Sequence, residues 1–290
     1  MPELPEVETV RRQLAESLTG LRFVAVARAE PSMLIGGSAE SLRAELPGRD
    51  VQDVSRIGKF LRVKLGGAAF LTLHLGMTGH FLVSQGRPDS EEYAFDSHTR
   101  FLFSLEPADR ASDNLGAHSP SLTWLEFRDI RKFGRVQLTF GAPAERLSLL
   151  GPDAWKGEWG VDHLSRRLGG RRAPIKALLL DQAVLAGIGN IYADEILWEA
   201  EISPLRPAGA LTPAELEVLA KEIPRRLQQG VDLLGCSISD FVDTEGQTGM
   251  FQQTLQAYGR QGQMCRRCGQ TMRRVIVAGR GTAYCPGCQR

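Results

Sequence analysis

The chain has 290 residues, of which 42% are hydrophobic, 24% charged and 7% aromatic. This length admits roughly two domains with full-sized cores, and the balance excludes a disulfide miniprotein, a collagen-like repeat and wholesale disorder. The formal net charge of +1 is unevenly placed: residues 263–290 hold six arginines (Arg266, Arg267, Arg273, Arg274, Arg280, Arg290) and no acid, so the remainder carries −5.

The N-terminus, MPELPEVETVRRQ, has acids where a signal peptide would be apolar, and no apolar run approaches the length of a membrane span. A cytosolic protein without a membrane partner is expected. Within PEVETVRRQLAESLTG, Pro5 suits a first helical position and Glu6 and Glu8 sit where the helix dipole favours anions. Val7, Val10, Leu14 and Leu18 form one apolar stripe, and Gly20 is placed to end the helix. One amphipathic helix therefore opens the chain.

From Phe23 to Phe140 the pattern becomes short β-rich runs: FVAVAR, VQDVSR, FLRVKL, AFLTLHL, HFLVS, TRFLFSL, LTWLEF and VQLTF. Their spacing, with turns at Gly66-Gly67 and Gly134, predicts an antiparallel two-sheet sandwich. Residues 107–121 read as an exposed polar loop. Beyond Gly151-Pro152 the period turns helical, through VDHLSRRLGG, APIKALLLDQAVLAG, NIYADEILWEAEI and TPAELEVLAKEIPRRLQQGVDLL. Thr212 with Glu215 forms a capping box ahead of Pro213, and Asn190 is placed to cap the helix that follows the turn Gly187-Ile188-Gly189.

Four of the five cysteines lie in the basic tail, as two CxxC knuckles: Cys265 with Cys268, and Cys285 with Cys288. In a reducing compartment this is the ligand set of a closed, structural Zn²⁺ site rather than a disulfide framework. Between the knuckles, TMRRVIVAGRGTAY reads as two strands around a turn at Ala278-Gly279, which places Arg280 near the hairpin tip. A module this short needs its metal to fold. Four thiolates and Zn²⁺ are formally −2, so six arginines leave it near +4, suited to phosphate contact; a ribbon that binds protein or caps a domain is the alternative. Cys236 is expected to be an interior or loop thiol.

Met1 precedes a small residue, so aminopeptidase should expose Pro2 as a secondary amine. An α-amine titrates near 7.7 to 8 against about 10.4 for lysine, so Pro2 is a candidate nucleophile. A secondary amine condensed with a sugar aldehyde gives an iminium that cannot lose its charge by N-deprotonation, an electron sink for β-elimination. Adjacent Glu3 is a candidate proton donor. The plain alternative is that Glu3 and Glu6 serve only as a helix start.

MPELPEVETVRRQL, HLGMTG, DIRKFG, AGIGNIYADEILW, QAYGRQGQMCRRCG and GRGTAYCPGCQR together resemble the formamidopyrimidine-DNA glycosylase family, from the first residue to the last. Leu4 looks like this branch rather than the endonuclease VIII branch. The resemblance implies an α+β fold: an N-terminal helix with an antiparallel β-sandwich (1–150, catalytic), a helical helix-two-turn-helix domain (151–262) and a zinc-finger β-hairpin (263–290). It implies Pro2 as the Schiff-base nucleophile, Glu3 as the acid, Lys59 for β-elimination and Arg280 for phosphate clamping or δ-elimination. Met77, Arg131 and Phe133 match the residues that fill the gap left by a flipped nucleotide, which suits an apolar wedge and an arginine able to bond an orphaned cytosine. Core packing is the alternative for Met77 and Phe133. Asn190 matches a phosphate ligand, and Lys176, Arg171 and His98 fall at or near DNA contacts; His74 lies beside the wedge loop, while His80, His118 and His163 receive no role.

Three departures from the family pattern stand out. Ile130 and Lys132 replace a Pro and an Arg, which predicts a less rigid turn; Ser239 replaces a lysine in the loop over the flipped base; and Cys236 replaces a common Thr. The implied activity is removal of oxidised purines (8-oxoguanine, formamidopyrimidines) from double-stranded DNA and cleavage of abasic sites, by a monomer in the bacterial cytosol holding one structural Zn²⁺. The alternatives are an oxidised-pyrimidine glycosylase, a non-catalytic zinc-ribbon DNA-binding protein and a small-molecule enzyme using an N-terminal proline as base.

Overall fold

The computed structural model describes residues 1–86, 97–109, 122–238 and 241–290. Most of the polar loop read over residues 107–121 lies outside them, as do His118 and Ser239. Two compact units emerge: Met1–Pro2, Glu6–Ser148 and Ser237–Gly249 form one, and Glu3–Pro5, Leu149–Cys236 and Met250–Arg290 the other.

Helix α1 (Leu4–Leu18) opens the chain as its apolar stripe requires, and Gly20 follows it at φ +84. In the first unit Val7, Val10, Leu14 and Leu18 are each at most 1% exposed. The eight β runs all form strands: β1 (Leu21–Ala29), β2 (Val51–Ile57), β3 (Phe60–Leu65), β4 (Ala69–His74), β5 (His80–Gln85), β6 (Thr99–Pro107), β7 (Thr123–Arg128) and β8 (Arg135–Phe140). They pair antiparallel in two four-stranded sheets, β1-β6-β7-β5 and β2-β3-β4-β8. Alternate side chains point inward, so Leu61, Val63, Leu71 and Leu73 of one sheet join Phe81, Phe101, Phe103 and Phe127 of the other in a single core. Burying each of these side chains contributes about 1.5–3 kcal/mol. A short helix that the sequence pattern does not announce, α2 (Ala39–Glu45), is capped reciprocally by Ser38 and Ser41.

Two connections cross from sheet to sheet. Residues 75–79 join β4 to β5, and residues 129–134 join β7 to β8. Because β4 pairs with β8 (His74↔Arg135) and β5 with β7 (His80↔Arg128), both crossings start and finish at register-matched positions and run side by side.

The second unit contains α3 (Val161–Leu168), α4 (Ile175–Leu180), α5 (Asn190–Glu199) and α6 (Pro213–Asp232), followed by the hairpin β9 (Arg273–Val277) and β10 (Arg280–Tyr284). Thr212 and Glu215 cap α6 as expected, with Pro213 in the first turn. The helical run read through APIKALLLDQAVLAG is broken: α4 stops at Leu180 because the Asp181 carboxylate accepts the N–H of Ala183 and closes a turn. Tyr192, Ala193, Ile196 and Leu197 of α5 are 0% exposed and make this helix the centre of the second core, with Tyr192 stacked on Phe251 at 4.7 Å. Cys236 is buried in the same core. No helix among the described residues is long and apolar enough to cross a membrane.

Candidate active site and nucleic-acid interface

The N-terminus of α5 carries the first element of the site. A helix start leaves backbone N–H groups without partners and bears partial positive charge. Here they are met by Glu3, 3% exposed, whose Oε2 accepts Gly189 N–H at 2.8 Å and Tyr192 N–H at 3.3 Å while Oε1 accepts Ile191 N–H at 2.8 Å. Asn190 was expected to cap this helix; instead Gly189 occupies the cap position without a side chain, and the capping oxygens come from far away in the chain. The turn before α5 is shaped for this purpose. A Cβ on Gly189 would lie 2.3 Å from Glu3 Cδ, and one on Gly187 would lie 2.4 Å from Leu4 Cδ1. Gly187 also adopts φ +116, a conformation open to glycine. Gln182 brackets the turn, accepting from Gly187 N–H and donating to Ile188 O, each at 2.9 Å. Pro2, which directly precedes Glu3, is buried.

Along the same helix, two acids that an apolar run such as IYADEILW would not need are fully engaged. Asp194 accepts from Lys176 Nζ at 2.6 Å and from Ala283 N–H at 3.1 Å. Glu195 accepts from Arg226 at 2.5 Å and from the N–H groups of Gln256, Ala257 and Tyr258. Asn190 Nδ2 donates to Gly281 O at 3.0 Å. Helix α5 thus holds the strand after Arg280 and the QAYG segment at once.

The resemblance implies that Lys176 lies at or near a DNA contact, whereas its side chain is 0% exposed and its ammonium is occupied by Asp194 and by Thr282 Oγ1 at 2.7 Å. Desolvation is the reason: a buried ammonium persists only when charge and hydrogen bonds meet it on the protein side. Burial pushes Asp194 up to about 6 and pulls Lys176 down, each opposed by its partner. Arg280 and Arg171 are exposed, Arg280 at the start of β10 and Arg171 on the α3–α4 connection. Asn190, Tyr258, Gln261, Arg274 and Gly281 line one open cleft of about 240 Å³.

The four tail cysteines converge, all Sγ atoms lying within 4.8 Å of one another, with Cys268–Cys285 at 3.4 Å and Cys265–Cys288 at 3.9 Å. A tetrahedral ZnS₄ centre with bonds of about 2.3 Å has S···S edges of roughly 3.8 Å, so the donor set fits the ion. The knuckles are sutured to the end of α5: Arg267 stacks over Trp198 at 3.9 Å and donates to its carbonyl at 3.0 Å.

In the first unit Lys59 follows Gly58 (φ +56) in the β2–β3 turn and is 7% exposed. Arg56 steadies that turn, donating to Gly58 O at 2.8 Å and to Glu8 of α1 at 3.1 Å. His74 packs against Phe60 with the rings tilted and their centroids 4.6 Å apart, and its Nδ1 accepts Gly76 N–H at 3.1 Å. Burial, then the charges of Lys59, Arg146 and Arg135, hold its imidazole down at about 4, so it is neutral at pH 7. The inter-sheet crossings carry Met77 (38% exposed) and Phe133 (44% exposed), which disposes of core packing for both. Arg131 lies over the Phe133 ring at 4.5 Å. His98 is exposed, and its carbonyl accepts Asp129 N–H at 3.0 Å. Lys132, at φ +57, pairs with Glu30 at 2.7 Å, and that ammonium, then Ser32, holds Glu30 at about 2. The turn expected to be loosened by Ile130 and Lys132 is therefore braced.

Profiles for the formamidopyrimidine-DNA glycosylase N-terminal domain, the formamidopyrimidine-DNA glycosylase H2TH domain and the zinc finger found in FPG and IleRS match residues 1–136, 150–242 and 262–290. The chain belongs to the formamidopyrimidine-DNA glycosylase family. Family members similar to it include the formamidopyrimidine-DNA glycosylases of Carboxydothermus hydrogenoformans, 38% identical with all of both chains covered, and of Moorella thermoacetica, 41% identical over 95% of this chain and 94% of that one. Among solved structures, a Lactococcus lactis Fpg variant with Fapy-dG-containing DNA superposes with TM-score 0.86 at 32% identity, covering all of both chains. The same protein with abasic-site DNA gives 0.85 over 99% of each chain.

The family's zinc finger and the converging thiolates agree on one structural zinc held by Cys265, Cys268, Cys285 and Cys288. With all four ligands from protein there is no open coordination position, so the ion's contribution is to hold the hairpin that presents Arg280. Sequence reasoning missed Asp194, Glu195, Gly189 and Asp129. For the two α5 acids a signal existed in adjacent charges within an otherwise apolar helix; for Gly189 and Asp129 the partners are loops whose proximity only the fold creates.

Proposed function

We propose that this chain is a bifunctional DNA glycosylase and AP lyase that removes oxidised purines, 8-oxoguanine and formamidopyrimidines, from double-stranded DNA. The observation that carries the reading is the Glu3 carboxylate, buried and held by three backbone N–H groups at the start of α5, one residue after Pro2. A carboxyl fixed so closely beside a chain-terminal secondary amine is the pairing that base displacement at C1′ requires.

With Met1 removed, the Pro2 nitrogen attacks C1′ of the damaged nucleotide. The C1′–N bond breaks and the base leaves with a proton; the Glu3 carboxylate takes the amine's own proton and passes it to O4′ as the sugar ring opens and the iminium forms. The iminium acidifies C2′–H; loss of that proton expels the 3′ phosphate, and a second elimination expels the 5′ phosphate. Lys59 and Arg280 are assigned to the sugar phosphates, Lys59 from its braced turn and Arg280 from the zinc-held hairpin, where a guanidinium grips phosphate through paired donors. Arg171, Asn190 and His98 are assigned to backbone contacts, and Met77, Arg131 and Phe133 to the space vacated by the everted nucleotide. Their exposure and the stacked Arg131–Phe133 pair support this. Lys176 acts indirectly, as the buried strut beneath β10.

In this reading the chain works as a cytosolic monomer in three parts: 1–150 for catalysis, 151–262 for DNA binding and 263–290 as the zinc finger. Borohydride should trap a covalent complex with an 8-oxoguanine duplex, and Pro2→Gly should abolish most of it; unchanged trapping defeats the assignment. Faster excision of thymine glycol than of 8-oxoguanine would transfer the enzyme to the oxidised-pyrimidine class. Tight lesion binding without strand scission would make it a binding protein.

A further inference from the structure

The exposed tips at Met77, Arg131 and Phe133 have little packing of their own, so whatever orders them lies beneath. The two crossings that carry them meet at a single carboxylate. Asp129 is 0% exposed. Its Oδ1 accepts the Thr78 hydroxyl at 2.5 Å and Arg131 N–H at 3.1 Å, and its Oδ2 accepts Gly134 N–H at 2.7 Å. One side chain thus bonds the residue after Met77, the backbone of Arg131 and the residue after Phe133.

Two further contacts make the crossings one body. A Cβ on Gly76 would stand 2.5 Å from the Phe133 carbonyl carbon, so the backbones of the two loops touch where only glycine fits. From the other side, buried Arg100 donates to the carbonyls of Ser97 (2.7 Å), Asp129 (2.6 Å) and Ile130 (3.3 Å). Met77 therefore sits between two anchored residues, as does the Arg131–Phe133 stack. Leaving a buried carboxyl oxygen without its donors costs free energy, so the three bonds tie each loop's conformation to the other's.

We propose that Asp129 is a positioning residue for the insertion step: it holds Met77, Arg131 and Phe133 in the arrangement that replaces an everted nucleotide, so that the loops are ordered before DNA arrives. This rests on the glycosylase reading above. Asp129 touches no reacting atom, and its loss should slow steps that need the duplex gap filled while sparing chemistry on a sugar that needs no eversion.

The test compares Asp129→Asn, Thr78→Val and Thr78→Ser with the unaltered chain in two single-turnover assays: 8-oxoguanine excision from a duplex opposite cytosine, and cleavage of an abasic site in a single strand. A 2-aminopurine beside the lesion reports insertion directly, and the thermal midpoint reports folding. Asp129→Asn places an amide against an N–H donor and removes a charge-assisted bond, so duplex excision and the insertion signal should slow about 10- to 100-fold. Single-strand cleavage should stay within about twofold, and Thr78→Ser, which restores the hydroxyl, should recover what Thr78→Val loses. Should Asp129→Asn fail to fold, Thr78→Val carries the same comparison. Equal loss in both assays, or no loss in either, overturns the proposal. If the unaltered chain excises nothing from the duplex, the glycosylase reading falls instead.

Discussion

Glu3 and Gly189 meet at a distance that leaves the glycine no side chain: a Cβ there would lie 2.3 Å from Glu3 Cδ, while Gly189 N–H donates to Glu3 Oε2 at 2.8 Å. The carboxylate and the helix start it caps are fitted to one another, so a methyl group at position 189 must displace the acid. Gly189→Ala is expected to lower single-turnover excision by at least about 100-fold, the scale of a lost acid–base contribution. Gly160→Ala is the control, since a Cβ at Gly160 meets nothing within 4 Å. Equal rates for the two variants would show that the placement of Glu3 is unimportant to the chemistry.

The buried pair of Lys176 and Asp194 secures β10 from below. Removing one partner leaves the other charge buried and unmatched, so Lys176→Met should cost about 3–5 kcal/mol in denaturant unfolding. Adding Asp194→Leu should recover much of that loss, because the uncompensated carboxylate disappears. A neutral Lys176→Met would mean that the pair does not carry the hairpin's seat.

His74 supplies a pH dependence whose sign is fixed by its burial. Its imidazole is held at about 4 against an ordinary 6.5, so folding favours the neutral ring. The associated stability is fully present above pH 6.5, declines as the unfolded chain takes up its proton, and is lost once pH falls through about 4. At 1.36 kcal/mol per pH unit this separation is worth at most about 3 kcal/mol. His74→Gln should flatten the stability profile between those pH values; an unaltered acid limb would assign the effect to other groups.

Zinc removal should act on the tail and, through Arg267 and Trp198, on the end of α5. Chelation, or Cys285→Ser at a site 0% exposed, should disorder the hairpin and reduce DNA affinity by about two orders of magnitude, the scale expected when several phosphates go unneutralised together. Metal content and binding measured on the same sample decide it: full affinity in verified metal-free protein would refute the role given to the hairpin.

Much of this architecture was legible because local chemistry and fold agree. All eight β runs became strands, the α6 capping box formed as read, and Ala278 and Gly279 both take positive φ at the hairpin turn that presents Arg280. The failures share one cause, which is long-range partnership overriding a local signal. Asn190 has the chemistry of a cap, yet Glu3 arrives from the chain's start and takes the N–H groups. APIKALLLDQAVLAG has helical periodicity, yet Asp181 turns the chain after Leu180. Lys176 has the charge of a phosphate ligand, yet Asp194, 18 positions on, draws it inside. Nothing near Asp129 in the sequence announces Thr78, because they become neighbours only when the two connections cross between the sheets side by side, from register-matched strand ends.

The proposed chemistry turns on which nitrogen bonds the sugar. Peptide mapping by mass spectrometry of the borohydride-trapped complex with an 8-oxoguanine duplex locates that bond directly. A reduced deoxyribose adduct on the Pro2 nitrogen of chains lacking Met1 is the predicted result; an adduct on Lys59 or another lysine, or one formed by chains that retain Met1, would contradict it.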